Sequence, residues 1–267
     1  MHNKLEVDLL LLSSSHSSAE EFGRLLCKCR NGRNGVYALR LYACICIKGL
    51  ECDNVLGNYL VPLFVKVGCM LDALYLFDRI SLRNELSWNF MLSGYNNSGQ
   101  PEKALDLYKM MRNVDVCSSH PNQHTFVALL KACIRLRDMR TSLHVHVECD
   151  SRGFLHSDIS LATTLFDSYA KCGSIERARQ VFDKLHVRDT ISWISLTIGY
   201  AENGKSKEAV ECFEKMQFDG IFLDIVTFIS ILKACCNSGS INEGQVMDCE
   251  VERRGFLLRR RRRRRRN

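Results

Sequence analysis

The sequence contains very little proline and no long apolar run. Only Pro62, Pro101 and Pro121 occur among 267 residues, and because proline interrupts helices, its scarcity favours a helical chain. No apolar run reaches the roughly 18 residues of a membrane-spanning helix, and the short Leu9–Leu12 run lies beside acidic residues. These absences favour an all-α fold and predict no association with a membrane.

Signatures of catalysis and of metal binding are also missing. The sequence has no phosphate-binding glycine loop and no nucleophile elbow. The segment His144–Cys149 could supply metal ligands, but residues two apart on a helix face different ways. The pairs Cys27/Cys29 and Cys44/Cys46 lack the usual two-residue zinc spacing. We therefore predict that the chain is not an enzyme and holds no metal or cofactor.

The positive charge of the chain is concentrated in one run. The formal net charge is +7, yet without the eight arginines of Arg259–Arg266 the chain has 29 basic and 30 acidic residues. The charge of the rest of the chain therefore gives no indication of a nucleic-acid partner. The run itself would bind any polyanion. A functional tail and a misread gene end are alternative explanations of it.

What the sequence does contain is an internal repeat. Residues 159–189 and 190–224 share one plan, in which an apolar helical pattern ends near a glycine and an amphipathic pattern follows. The aligned pairs are Gly173 with Gly204, Ala178 with Ala209, and Phe182 with Phe213. Shifting the sequence by 105 residues brings Gly68, Ala73 and Phe77 onto the first of these patterns. Helical pairs repeated every 20–50 residues are typical of solenoids.

Three types of repeat unit, long, short and intermediate, alternate in strict order. The predicted units are residues 19–53, 54–84, 85–122, 123–158, 159–189, 190–224 and 225–260, after a leader at 1–18 that we expect to be disordered. Each unit has room for about two helices. We expect Gly173 to end a first helix in the left-handed conformation and Ser174 to cap the second helix.

These units resemble pentatricopeptide repeats of the plant type in which P, L and S motifs alternate. The resemblance is carried by YAKCGSIERARQVFDKL at 169–185, SWISLTIGYAENG at 192–204 and TFISILKACCNSG at 227–239. It covers about residues 19–260, in L-S-P-L-S-P-L order. It implies an all-α fold, a right-handed α-solenoid of helix-turn-helix repeats, and binding of single-stranded RNA at roughly one base per unit.

The resemblance also implies which residues contact the bases. In this family the fifth and last residues of P and S units select the base, which gives the pairs Asn58/Asn84, Asn89/Asn122, Thr163/Asp189 and Ile194/Asp224. Asn–Asn pairs imply pyrimidines and Thr–Asp implies guanine, whereas the apolar Ile194 departs from the pattern. Apolar residues at the second position sandwich the bases, namely Val55, Leu86, Ile191 and Val226, while His124 and Ser160 depart. The residues alone leave another interpretation open, in which Asn58 and Thr163 are ordinary polar residues near helix starts with a role in structural capping.

The implied function is sequence-selective binding of RNA in a mitochondrion or chloroplast. Such a protein directs transcript editing or processing while a deaminase or another factor supplies catalysis in trans. We expect no E or DYW deaminase domain, because the paired His-x-Glu and Pro-Cys-x-x-Cys signature does not occur. Residues 1–18 contain no arginine and match a transit peptide poorly, which leaves an incomplete N-terminus open. The alternatives are a helical scaffold for protein partners and a truncated product without activity.

Overall fold

The structure, a computed structural model, describes residues 19–30, 35–50, 53–113, 120–185 and 188–218. All regular secondary structure in these ranges is helical, which confirms the predicted all-α fold. The thirteen helices are α1 (Ala19–Arg30), α2 (Gly35–Ile47), α3 (Asn54–Val67), α4 (Met70–Arg79), α5 (Glu85–Asn97), α6 (Pro101–Asn113), α7 (Gln123–Leu136), α8 (Met139–Ser151), α9 (Phe154–Ser157), α10 (Ile159–Lys171), α11 (Ile175–Asp183), α12 (Thr190–Glu202) and α13 (Ser206–Phe218). The predicted leader, last unit and arginine run lie outside the described residues.

A helix begins at the first residue of each predicted unit from the first to the sixth. From the second unit on, the preceding residue caps that helix through its side-chain oxygen, as aspartate and asparagine are suited to do. The five caps are Asp53, Asn84, Asn122, Asp158 and Asp189, whose Oδ1 atoms accept from a backbone N–H at 2.8–3.1 Å. The last residue of one unit is therefore the cap of the next.

The second helices begin less uniformly than the sequence suggests. Gly173 takes the expected left-handed conformation, with φ at 80°, and Pro101 is the first residue of α6. Ser174 occupies the cap position of α11, but its side chain makes no capping hydrogen bond, so that prediction is wrong. Its backbone has φ −107° and ψ 65°, away from the extended conformation typical of a capping residue, and its N–H donates to Tyr169.

The long unit at residues 123–158 has a third, one-turn helix beyond the two expected. Gly153 follows α8 with φ at 69°, a conformation that glycine adopts without steric cost. The chain then turns into α9 and reaches Asp158, the cap of α10.

The chain divides into two compact bodies, residues 1–132 and 133–267. In the first body α3 packs on α1, α4 and α5, and α6 packs on α5; in the second, α10 packs on α8, α11 and α12, and α13 packs on α12. The second helices place a fully buried alanine in these contacts, namely Ala73, Ala104, Ala178 and Ala209. None of the helices in the described ranges has the length and apolar character needed to cross a membrane.

Candidate nucleic-acid interface

The caps at the ends of the units have a fixed orientation. A backbone N–H can only donate, so the capping side chain must turn an oxygen toward the helix. In Asn84 and Asn122 the Nδ2 donor is then the other end of the amide, whereas in Asp189 the other end is a second acceptor oxygen. An asparagine cap therefore presents a donor, and an aspartate cap presents an acceptor.

In two units, an arginine immediately before the capping residue holds the segment between the units in place. Arg83 donates from Nε to the Phe77 carbonyl at 2.8 Å, and its guanidinium lies over the Phe77 ring at 4.7 Å. Arg188 makes the equivalent contacts one superperiod later, with Nη2 donating to the Asp183 carbonyl at 3.2 Å and the guanidinium 5.1 Å from the Phe182 ring. Cations suit the carbonyl end of a helix and the face of an aromatic ring. Each arginine thereby fixes the link that carries the next cap.

The structure brings the predicted pair Asn89 and Asn122 into direct contact. Asn89 Nδ2 donates to Asn122 Oδ1 at 3.1 Å. The hydroxyl of Thr125 donates to Asn89 Oδ1 at 2.6 Å, and Asn122 Nδ2 donates to a carboxylate oxygen of Glu85 at 2.8 Å. The backbone N–H of Thr125, which bonds to Asn122 Oδ1 at 3.0 Å, determines the direction of this whole network because it can only donate.

The pair Asn58 and Asn84 has the same residue types but different bonds. Asn58 is 7% exposed, and its Nδ2 donates to the carbonyls of Asn54 and Leu82 at 2.8 Å each. Its Oδ1 accepts from the backbone N–H of Asn84 at 3.0 Å and from the Ser87 hydroxyl at 2.8 Å. Both donor hydrogens and both acceptor positions of this amide are thus used within the protein, as in a structural brace.

The other two predicted pairs are not joined in this way. Thr163 is half-buried on α10, and among the described residues no hydrogen bond connects it to Asp189, which caps α12. Ile194 is half-buried on α12. Its predicted partner Asp224 lies outside the described residues, as does Val226.

The second position of three first helices exposes an apolar side chain. Val55 is 60% exposed, Leu86 40% and Ile191 63%. The next residue in each helix is fully buried, so the exposure is specific to this position. His124 and Ser160, which depart from the predicted pattern, are also exposed.

Sequence reasoning missed the side chains that hold the predicted selectors. Arg83 and Arg188 could have been found, because they align at the 105-residue shift. Thr125 could have been found in the same way, because it aligns with Thr227 at a shift of 102 residues, whereas Glu85 gave no such signal. Elsewhere, His146 of the HVHVEC segment bonds Tyr169 through Nδ1 at 2.7 Å, and within the described ranges no three potential metal ligands lie together.

Matches to known families support the repeat assignment. Residues 83–135 and 188–237 match the model of the PPR repeat family, and residues 161–189 match the PPR repeat model. In Arabidopsis thaliana, the mitochondrial pentatricopeptide repeat-containing protein At2g03880 is 32% identical over 79% of this chain and 33% of its own length. The chloroplastic protein At1g15510 is 34% identical over 76% of this chain and 23% of its own length.

Solved structures share the fold. The crystal structure of the pentatricopeptide repeat protein PPR10 from maize aligns with 95% of this chain and 44% of its own, with a TM-score of 0.60 and 18% identity. PPR10 in complex with an 18-nucleotide psaJ RNA element aligns over 91% of this chain with a TM-score of 0.56. These similarities confirm the predicted solenoid of helix-turn-helix repeats. The chain spans roughly a quarter to a half of the length of the first relatives that it matches.

Proposed function

The chain carries pentatricopeptide repeats, and on this premise we propose that it binds single-stranded RNA sequence-selectively in an organelle and directs transcript editing or processing. Catalysis in this proposal is supplied in trans. Support comes from the RNA complex of PPR10 and from relatives whose names are mitochondrial or chloroplastic. The PLS subfamily assignment belongs to the same proposal and depends on the alternation of unit types in the sequence.

The observation that carries the proposal is the side-chain bond between Asn89 and Asn122. These residues lie 33 positions apart, yet their amides meet at 3.1 Å, so one base edge could contact both. Each amide has two donor hydrogens, and one of each is used in the network described above. The pair therefore keeps donor capacity for an RNA base.

Cap orientation supports the base assignments. Asn122 presents a donor, which suits the ring nitrogen acceptor of cytosine, and Asp189 presents an acceptor, which suits the N–H groups on the edge of guanine. We accordingly assign a pyrimidine to Asn89/Asn122 and guanine to Thr163/Asp189. Asn58 would have to give up internal hydrogen bonds to contact a base, so Asn58/Asn84 should discriminate more weakly. Ile194 offers no polar group, and its pair should discriminate least.

The exposed apolar residues at the second position would supply stacking surface. Base stacking tolerates any sequence, because every base has a π-face. Val55, Leu86 and Ile191 lie beside the capping residues along the chain. Stacking would thus hold a base while the selector pair contacts its edge.

A binding selection over randomised single-stranded RNA tests the proposal. The full chain is compared with a chain lacking Arg259–Arg266, because the arginine block binds polyanions without regard to sequence. We expect both proteins to enrich the same motif, with guanine at the position read by Thr163/Asp189. The shorter protein should show a weaker dependence on salt.

Two outcomes would contradict the proposal. A motif that is lost with the arginine block would contradict base reading by the selector pairs, because phosphate contacts carry no base information and their removal should leave the motif unchanged. The absence of enrichment with either protein would favour the scaffold alternative, in which the repeats bind other proteins.

A further inference from the structure

We propose that Thr125, the third residue of the unit at 123–158, is a positioning residue that completes the selector of the preceding unit. This inference rests on the proposed RNA-binding function. It means that base choice by Asn89 depends on a side chain outside its own unit. A unit with an asparagine at the fifth position then does not select its base independently of the next unit.

The geometry around Thr125 supports this role. Thr125 is buried, with 1% of its surface exposed. Its hydroxyl donates to Asn89 Oδ1 at 2.6 Å. The same oxygen accepts from the backbone N–H of Asn122 at 3.2 Å. Its single hydrogen has two acceptors within reach, Asn89 Oδ1 at 2.6 Å and Asn122 Oδ1 at 3.1 Å, of which Asn89 is the nearer. An asparagine amide could present either end to a base. The hydroxyl bond holds the Asn89 oxygen inward and keeps its nitrogen beside Asn122.

The same arrangement occurs in the preceding unit. Ser87 is the third residue of its unit and is fully buried. Its hydroxyl lies 2.8 Å from Asn58 Oδ1, the fifth residue of the unit before. The contact therefore spans a unit boundary twice in the first body, each time between a hydroxyl at the third position and an asparagine at the fifth.

A contrast within the chain shows when the contact does not form. Ser192 is also a buried third residue, but the preceding fifth residue is Thr163, whose side chain is shorter than that of asparagine. The hydroxyl of Ser192 donates to the Asp189 carbonyl at 2.8 Å, and Ser87 has the equivalent contact with the Asn84 carbonyl at 2.9 Å. The difference is that, among the described residues, no bond joins Ser192 to Thr163. The hydroxyl positions a selector only where that selector is an amide.

The residue types at the third position follow the unit types. Hydroxyl residues follow the short and intermediate units, as Ser87, Thr125, Ser192 and Thr227. Leu56 and Leu161 occupy this position after the long units, whose fifth residues are Gly23 and Val127. A hydroxyl is thus present after each unit with a predicted selector, and leucine is present after units without one.

The test compares four full-length proteins, the unmodified chain and the variants Thr125→Val, Thr125→Ala and Thr125→Ser, in the randomised RNA selection. Valine keeps the shape of threonine, and alanine leaves space; both lack the hydroxyl. We expect both to reduce the preference at the one RNA position read by Asn89/Asn122 about two- to tenfold, the equivalent of one hydrogen bond. Thr125→Ser, which has a hydroxyl, should keep this preference. In all variants the preference at the other RNA positions should stay unchanged.

Ser192→Ala provides the matched control, because it removes a buried third-position hydroxyl that holds no amide. It should leave the preference at every position unchanged. A second check combines Thr125→Val with Asn89→Thr, which removes the amide. In that background the valine should have no further effect.

The inference fails if Thr125→Val and Thr125→Ala keep the original preference, or if their loss is equal at all positions. It also fails if Thr125→Ser behaves like them. These results differ from failure of the proposed function, in which the unmodified chain enriches no motif. Thermal unfolding of each variant identifies a protein that does not fold, and either of the two hydroxyl-free variants is sufficient for the comparison.

Discussion

Asn122 donates an amide hydrogen to the carboxylate of Glu85 at 2.8 Å, and the two residues, 37 positions apart, are the last and first of one repeat unit. Glu85 is exposed in the first turn of α5. The bond therefore occupies a donor of a predicted base-reading residue and places a negative charge beside it. RNA that uses this donor has to displace the carboxylate.

Replacing Glu85 by alanine should strengthen RNA binding. The change frees the Asn122 donor and removes repulsion from phosphate, and exposed charge contacts of this kind are worth about 0.2–1 kcal/mol. Titration of a fixed RNA ligand should show roughly a twofold to fivefold lower Kd. Glu102→Ala is the control, because Glu102 is also an exposed first-turn glutamate, on α6. Equal effects of the two changes, or weaker binding by Glu85→Ala, would refute the role of Glu85.

Replacing Thr163 by asparagine should change base choice at one RNA position from guanine toward uracil. Asn–Asp is the uracil pair implied by the family resemblance, and one base contact is worth about 1–3 kcal/mol. The new amide also gives the Ser192 hydroxyl an acceptor, as Asn58 does for Ser87. The selection should therefore show that Ser192→Ala, which is silent in the original chain, weakens the preference in the Thr163→Asn background. An unchanged profile would leave Thr163 as a residue of the helix start only.

Replacing Asn58 by alanine should destabilise the protein more than replacing Asn89 does. Asn58 is buried and bonded at four positions, and buried groups left without partners cost about 1–3 kcal/mol. Asn89 is only half-buried, and the Thr125 hydroxyl that loses it still has Asn122 Oδ1 as an acceptor at 3.1 Å. Urea unfolding of both variants measures the difference. Equal losses of unfolding free energy would contradict the distinction between Asn58 as a structural residue and Asn89 as a base-contacting residue.

Replacing Gly94 by alanine should cost about 1–3 kcal/mol of unfolding free energy through overpacking. A Cβ atom there would lie 2.8 Å from the Met70 sulfur and 2.9 Å from a Val65 methyl carbon. Gly23→Ala is the control, since a Cβ at this helical glycine meets nothing within 4 Å; that change should stabilise by about 0.5–1 kcal/mol. Urea unfolding should therefore show changes of opposite sign, and a loss at Gly23 as large as that at Gly94 would contradict the packing argument.

Acidification below pH 6.5 should destabilise the protein through His146. Burial lowers the pKa of His146 below its ordinary value of 6.5, with Lys184 and Arg177 acting in the same direction and Asp150 against them. The unfolded chain then binds a proton more readily than the folded one, so stability is lost as pH falls from 6.5 through the lower folded pKa. The difference in unfolding free energy between the original chain and His146→Gln should be constant above this window and change within it. Parallel pH profiles would show that His146 does not contribute.

The sequence predicts the first helices well because two independent local signals coincide. Apolar periodicity defines each helix, and from the second unit on an aspartate or asparagine immediately precedes it, as Asp158 precedes α10. Neither signal requires knowledge of distant residues. The second helices are less certain, since Ser174 has a suitable side chain but the wrong backbone angles for capping.

The selector bonds could not be predicted from residue types. Asn58 and Asn89 are the same residue at the same position, yet one contacts the backbone N–H of its partner and the other contacts the partner side chain. This difference in hydrogen-bond partner accompanies a difference in the length of the segment that leads from the second helix of each unit to its last residue. Four residues separate the end of α4 from Asn84, whereas eight residues separate the end of α6 from Asn122. The position of the last residue, and with it the hydrogen-bond partner of the fifth residue, therefore depends on the conformation of this connecting segment, which residue types do not specify.

The capping role of each last residue determines where a repeat can be cut from the chain. A fragment that begins at Glu85 loses Asn84, and with it the side chain that bonds the Ser87 N–H at the start of α5. A fragment from Asn84 to Pro121 keeps that start intact and leaves Asn122 to the unit it caps. The exchangeable module for building new arrays is therefore shifted one residue toward the N-terminus from the unit defined by the sequence repeat.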